Sequence, residues 1–281
     1  MWHMAILGKP NVLTVLKDRR PGLYLDGGDL GEILLPGDSI PQGAGPGDEL
    51  EVFIYRDSED RLVASTRMPM AFVGDFAALE VRQVHPRMGA FLDWGLNKDL
   101  LLPMREQEKK VRVGETVVVF IFVDEQSGRI VASTRLSEHI DTTPPPYIEG
   151  SKVSLLIASP TPLGYNAVID NSRLGLLYRS EIGMDLHVGE KYQGYVRLVR
   201  PDGKIDLGLD PQGYRRVEPL ADEILKALRA GKGRLALSDR SSPEDIRIAF
   251  QTSKKAFKQA LGSLYRQQLI EINDDGVTLK S

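Results

Sequence analysis

The chain contains no cysteine. Disulfides, thiolate nucleophiles and cysteine-ligated zinc or iron–sulfur centres are therefore excluded, and the absence agrees with a reducing compartment. Histidine is almost as scarce. The four, His3, His85, His139 and His187, are scattered without His-Glu-x-x-His or comparable metal spacing, so each is expected to be solvated or locally hydrogen-bonded. No apolar run approaches the roughly 20 residues needed to cross a bilayer, and no basic stretch leads into an apolar signal core. A cytoplasmic protein with no membrane partner is expected. The Gly-rich stretch Gly43-Ala44-Gly45-Pro46-Gly47 lacks the Gly-Lys-Ser/Thr ending of a phosphate-binding loop and reads as a loop entering a strand. Asp26, Asp29 and Glu32 have the chemistry to gather a cation, but a Gly-rich turn with solvated acids accounts for them better. Nothing resembles a nucleophile elbow. The expectation is a protein with no catalytic residues, no cofactor, no metal and no small-molecule substrate.

Excess charge of one sign is lacking too: the 281 residues carry a net charge of -3. Its distribution says more. Residues 1–146 hold 16 Lys+Arg against 22 Asp+Glu, and residues 147–281 hold 20 against 17. Phosphate neutralisation supplies much of the affinity for nucleic acid, so a basic balance in the C-terminal half places any such contact there first.

What the chain does have is internal repetition. Gly22-Leu23-Tyr24-Leu25-Asp26-Gly27-Gly28 recurs as Gly89-Ala90-Phe91-Leu92-Asp93-Trp94-Gly95, and Leu34-Leu35-Pro36 as Leu101-Leu102-Pro103. A glycine then opens an alternating apolar run, Gly47 to Tyr55 in one copy and Gly114 to Phe122 in the other. Both copies close on the same string, Val63-Ala64-Ser65-Thr66-Arg67 and Val131-Ala132-Ser133-Thr134-Arg135. A more divergent third copy follows the stiff break Thr142-Thr143-Pro144-Pro145-Pro146. It runs through Gly164-Tyr165-Asn166-Ala167-Val168-Ile169, Gly175-Leu176-Leu177-Tyr178, Gly189 to Val196 and Lys204 to Leu209.

Each copy is about 65 residues of short alternating segments punctuated by Gly, Asp, Asn and Pro, which reads as five short strands. Sheets this small must close to remove their edges, and a five-stranded Greek-key barrel of the OB class does so. The expected domains are three such barrels at 1–69, 70–140 and 147–211, then a C-terminal α+β domain at 217–281, giving a mainly β protein.

From Pro219 the period changes. Leu220, Ile224, Leu225 and Leu228 recur at helical spacing until Gly231 and Gly233. Ser242-Pro243-Glu244-Asp245 has the form of an N-cap with proline at the first position and acids in the first turn, predicting a helix from Pro243 to Phe250. A third helix is predicted from Ser253, with Phe257, Ala260, Leu261 and Leu264 on one face. Leu269 to Ile272, a turn at Asn273-Asp274-Asp275-Gly276 and Val277 to Leu279 predict a hairpin. Three helices and a hairpin make a winged helix. Its third helix presents Lys254, Lys255, Lys258 and Arg266 away from the apolar stripe, where a helix-turn-helix meets a nucleic-acid backbone; a domain-packing or protein-binding role is the alternative.

The string Gly89-Ala90-Phe91-Leu92-Asp93 with Leu100-Leu101-Leu102, the segment Gly175-Leu176-Leu177-Tyr178-Arg179-Ser180-Glu181-Ile182, and Lys204-Ile205-Asp206-Leu207 resemble the strands of S1 RNA-binding domains. With the segment Ser253 to Tyr265 they resemble, across essentially the whole chain, the bacterial conserved virulence factor B family. The resemblance implies three S1 barrels, a winged helix and a role in RNA-binding gene regulation. Along a strand from Gly89, Ala90 and Leu92 point inward and Phe91 outward, so a base of single-stranded RNA has a ring to stack on. Tyr24 holds the same place in copy one; copy three has Asn166 there, with Tyr165 and Tyr178 nearby. Where S1 domains carry an outward histidine, copies one and two have Pro36 and Pro103, and only copy three keeps an aromatic. The expected RNA contacts are therefore Tyr178, Arg179, Arg173, Tyr165, Arg197 and Arg200 first, Phe91, Arg87 and Lys98 second, and Tyr24 third. Two other readings stay open: a winged-helix DNA-binding regulator, and a protein docking on ribosomes or other ribonucleoproteins.

Overall fold

The computed structural model describes residues 5–210, 217–273 and 276–280, in two compact units divided between His139 and Ile140. The first unit holds two barrels. In one, β1 (Pro10–Arg19), β2 (Gly22–Asp26), β3 (Glu32–Pro36), β4 (Glu49–Arg56) and β5 (Leu62–Ser65) close in the order β1-β2-β3-β5-β4. In the other, β6 (Phe76–His85), β7 (Gly89–Asp93), β8 (Leu100–Pro103), β9 (Thr116–Val123) and β10 (Ile130–Ser133) close in the same way. The first strand of each pairs antiparallel with the second and the fourth, and the third pairs in parallel with the fifth.

This geometry explains the repeat. Gly22 and Gly89 stand opposite Pro36 and Pro103, where a Cβ would fall 2.0 and 2.1 Å from the carbonyl oxygens of Leu35 and Leu102. Only glycine fits so close an approach of two backbones. The Val-Ala-Ser-Thr-Arg string closes each barrel. Its valines and alanines are buried, and its hydroxyls bind backbone. Thr66 Oγ1 donates to the Ser39 carbonyl at 2.6 Å and Thr134 Oγ1 to that of Glu106 at 3.1 Å, while Ser65 and Ser133 accept from the amides of Arg67 and Arg135. The string is thus recurring turn chemistry.

The two barrels share hydrophobic contacts. Phe53, on β4 of the first, is fully buried and packs edge-on against Trp94 of the second with ring centroids 5.6 Å apart, and 6.0 Å from Phe72. Burying such a ring is worth roughly 1.5–3 kcal/mol.

At the end of this unit His139 stacks on Phe120 at 4.5 Å and lies 4.9 Å from Phe122, with a buried Nε2 that has no hydrogen-bond partner among the described residues. Burial pushes its pKa below 6.5 and outweighs the opposing charges of Glu106 and Glu138. The folded protein therefore favours the neutral ring. Above about pH 6.5 folded and unfolded chains are both neutral here; as the pH falls further, the unfolded chain gains a proton that the folded one resists, and stability drops. His139→Phe, which keeps the stack, is expected to flatten the decline in urea midpoint between about pH 7 and 5. An unaltered pH profile would contradict this.

The second unit holds the third barrel and the helical domain. Strands β11 (Lys152–Thr161), β12 (Gly164–Ile169), β13 (Arg173–Tyr178), β14 (Lys191–Val199) and β15 (Ile205–Gly208) close as β11-β12-β13-β15-β14. Gly164 faces Tyr178 in the ladder, and a Cβ there would lie 1.9 Å from the Leu177 carbonyl oxygen. The divergent third copy thus keeps the fold of the other two. After it come α1 (Val217–Ala230), β16 (Arg234–Leu235), α2 (Pro243–Phe250), α3 (Lys254–Arg266), β17 (Ile270–Asn273) and β18 (Gly276–Leu279). Ser242 Oγ accepts from the Asp245 amide and Ser253 Oγ from that of Ala256, the two expected N-caps. Ile224, Leu228, Ile246, Phe257, Leu261 and Leu264 form the core. The hairpin is present, with Asp274 and Asp275 of its expected turn outside the described residues. It gains a third strand, because β16 pairs with β18; two residues are too few to show a sequence period.

Candidate nucleic-acid interface

Barrel three carries a mixed polar and apolar platform. On β13 alternate side chains point out, leaving Leu174, Leu176 and Tyr178 half-buried. Across the ladder Leu176 stands between Asn166 and Asp206, and Asp206 in turn faces Leu198, which is 51% exposed. The residue opposite Tyr178 is Gly164, so the paired position adds no side chain to that flank of the ring. Its hydroxyl lies 3.3 Å from Asp206 Oδ1 and accepts a hydrogen bond from Arg200 Nη2, while Arg200 Nε donates to Asp206 Oδ2 at 3.0 Å. The ring is thus fixed by both residues. Asp206 offsets the charge of Arg200, so the platform suits stacking and hydrogen bonding to base edges more than long-range attraction of phosphate.

Other expected contacts on this barrel lie elsewhere. Arg173 is a correction: its side chain is only 7% exposed and its guanidinium donates to the Asp141 and Thr143 carbonyls, to Asp141 Oδ2 at 2.7 Å and to Thr143 Oγ1 at 2.8 Å. It clasps the segment leading into the barrel. Tyr165 is also corrected, being a buried core residue with the Arg179 guanidinium 4.8 Å above its ring. Its inward orientation follows from the alternation that turns Asn166 outward. Arg197 donates to the Asp210 carbonyl and pairs with its carboxylate at 3.1 Å, leaving little of the guanidinium for a ligand. Arg179 remains half-exposed, 3.7 Å from Asp185. Asp206 and Leu198 were not anticipated as site residues; the pairing of β13, β14 and β15, which sequence cannot supply, brings them together.

In the first unit Phe91 is half-buried on the outward side of β7, opposite Leu101, as the alternation predicts. Arg87 is exposed at the β6–β7 turn. Lys98 is a correction: Nζ donates to the carbonyls of Arg56 and Asp57, each at 2.8 Å, so it braces one barrel against the other. Tyr24 is half-buried with Lys17 Nζ 5.1 Å from its ring centre, and Lys17 pairs with Glu32 at 2.6 Å. Asp26 accepts from the Gly28 amide at 3.0 Å, so two of the three clustered acids have local partners.

On α3, Lys255 Nζ pairs with Glu181 of barrel three at 2.6 Å, and Arg247 of α2 pairs with Asp185 at 2.8 Å. Between them Gly183 lies so close to the helical domain that a Cβ would sit 2.2 Å from the Gln251 carbonyl oxygen. Lys254 Nζ reaches the Arg240 carbonyl at 3.4 Å, Lys258 lies 3.7 Å from Asp239, and Arg266 donates to the Gly262 carbonyl. The start of α3 therefore holds barrel three, and Lys258, Tyr265 and Arg266 form its exposed remainder. No helix among the described residues is long and apolar enough to cross a membrane.

Comparison with known proteins agrees with this architecture. An S1 domain model matches residues 7–67 and 73–135, and a CvfB-like winged helix domain model matches residues 222–279. YitL of Bacillus subtilis is 29% identical over 259 residues, covering 87% of this chain and 84% of the relative. Conserved virulence factor B of Staphylococcus aureus is 27% identical over 245 residues, covering 83% and 80%. A multidomain protein with nucleic acid binding domains from Streptococcus pneumoniae aligns over 98% of both chains at 23% identity and a TM-score of 0.43. S1 and winged-helix domains are nucleic-acid-binding rather than catalytic modules, and they support nucleic-acid binding here. The chain thus carries S1 domains and a CvfB-like winged helix domain, and it is similar along most of its length to YitL and to conserved virulence factor B.

Proposed function

We propose that the protein is a non-catalytic, cytoplasmic RNA-binding regulator of bacterial gene expression that holds single-stranded RNA on its barrels. The observation that carries this reading is Tyr178: an outward, half-buried ring paired with Gly164 and fixed by Arg200 and Asp206. A splayed base stacks on such a ring, with Asn166 offering a donor and an acceptor to its edge. The regulatory part rests on likeness to conserved virulence factor B. A helix that reads duplex DNA fits less well, because Lys255 at the start of α3 is committed to Glu181.

Fluorescence anisotropy with a labelled adenylate decamer at fixed salt tests the reading. Tyr178→Ala is expected to weaken binding roughly tenfold, the lower part of the range for losing one stacked base, and Tyr178→Phe much less. Duplex DNA of equal length is expected to compete poorly. Undiminished affinity in Tyr178→Ala, or a preference for the duplex, would overturn it.

A further inference from the structure

Between the first two barrels lies a cavity of about 210 Å3 whose walls come from both: Tyr55 and Arg56 of β4, Phe91 of β7, Trp94 and Lys98 of the loop after it, and Arg129 of the β9–β10 turn. Drug-sized ligands occupy roughly 300–1,000 Å3, so this space admits one base rather than a stacked run. Barrel one supplies the wall that turns the outward face around Phe91 from an open surface into a cleft.

Three cations, Arg56, Lys98 and Arg129, line the cleft against one carboxylate, Asp99, which pairs with Arg82 at 3.2 Å. Arg56 donates to the Asp60 carbonyl at 2.7 Å and to that of Gly128 at 3.2 Å, and Lys98 binds only the carbonyls of Arg56 and Asp57. Neither has a carboxylate within 4 Å among the described residues. Arg129 pairs with Asp60 at 3.1 Å, at the exposed rim. Burial and then the charge of Arg129 draw the Lys98 pKa below its ordinary value, and Asp57 and Asp60 offset only part of this. An anion placed among these cations relieves that repulsion.

We propose that this cleft receives a single nucleotide of a bound RNA strand, its base against Phe91 and Tyr55 and its phosphate on Arg56 and Arg129. The inference rests on the RNA reading above and gives barrel one, whose own Tyr24 is partnered by Lys17, a part in binding. Full-length protein is titrated with AMP, followed by calorimetry and by Trp94 fluorescence. One AMP per chain is expected, with adenosine about tenfold weaker, Phe91→Ala about tenfold weaker and Gly45→Ala, where an added Cβ meets nothing within 4 Å, unchanged. Ser58→Trp, at an exposed position on the rim, is expected to fill the cleft and abolish AMP binding without disturbing a core residue. The adenylate decamer is expected to displace AMP. Equal AMP binding by Ser58→Trp overturns the proposal. So does AMP that the decamer fails to displace, since the cleft would then serve free nucleotide. A decamer that binds while AMP does not overturns the cleft and leaves the RNA reading standing; failure of both probes removes both.

Discussion

Alanine at Gly89 is expected to destabilise the protein by about 3 kcal/mol, near the upper end for overpacking a tight site. The added Cβ would sit 2.1 Å from the Leu102 carbonyl oxygen and 2.9 Å from the Met104 amide nitrogen. Both are backbone atoms, so no rotamer change makes room and β7 must part from β8. Gly89 also has φ +127°, a conformation that side chains avoid. Gly45 provides the contrast. An added Cβ there meets nothing within 4 Å and its φ is not positive, so Gly45→Ala is expected to be neutral or to stabilise by roughly 0.4–1 kcal/mol through the unfolded state. Urea unfolding of the two variants side by side decides the matter. Similar midpoints would mean that the barrel yields where its backbones touch.

Arg173→Lys is expected to lose about 2 kcal/mol, although the charge is kept. The planar guanidinium makes four hydrogen bonds to Asp141 and Thr143 from a nearly inaccessible position. An ammonium cannot reproduce that fork, so at least one of the two carbonyls it serves is left unsatisfied. The partial exposure of Asp141 keeps the expected loss below that of a fully buried pair. At temperatures where the variant is folded, affinity for the adenylate decamer should equal that of the parent. A weakened complex with unchanged stability would return Arg173 to the binding surface.

The fold was legible because its determinants are local and repeated. Glycine-led strands, alternation and N-caps need only a few neighbouring residues, and the same segments recur in three copies. Even the close approach at Gly22, Gly89 and Gly164 left a trace, as the glycine heading each second strand. The platform was legible by half. Alternation turned Phe91 and Tyr178 outward, and applied strictly it turns Tyr165 inward. The basic residues were harder to place, because a cation's availability depends on partners distant in sequence. Asp141 lies 32 positions from Arg173, and the carbonyls that hold Lys98 lie 41 and 42 positions away. Local sequence offers no clue to those pairings. For the same reason nothing in the second repeat alone points to Arg56 as a wall of the cleft beside Phe91.

The hold of α2 and α3 on the loop from Arg179 to Asp185 means that truncation is not a clean way to dissect this protein. A fragment ending at residue 210 would strip Glu181 of Lys255 and leave Asp185 with Arg179 in place of Arg247. Arg179, which lies over Tyr165, would then be drawn to a newly vacant carboxylate. Any change in ligand affinity would mix the missing helices with a rearranged barrel, whereas charge reversal at Lys258 or Arg266 would report on the helices alone.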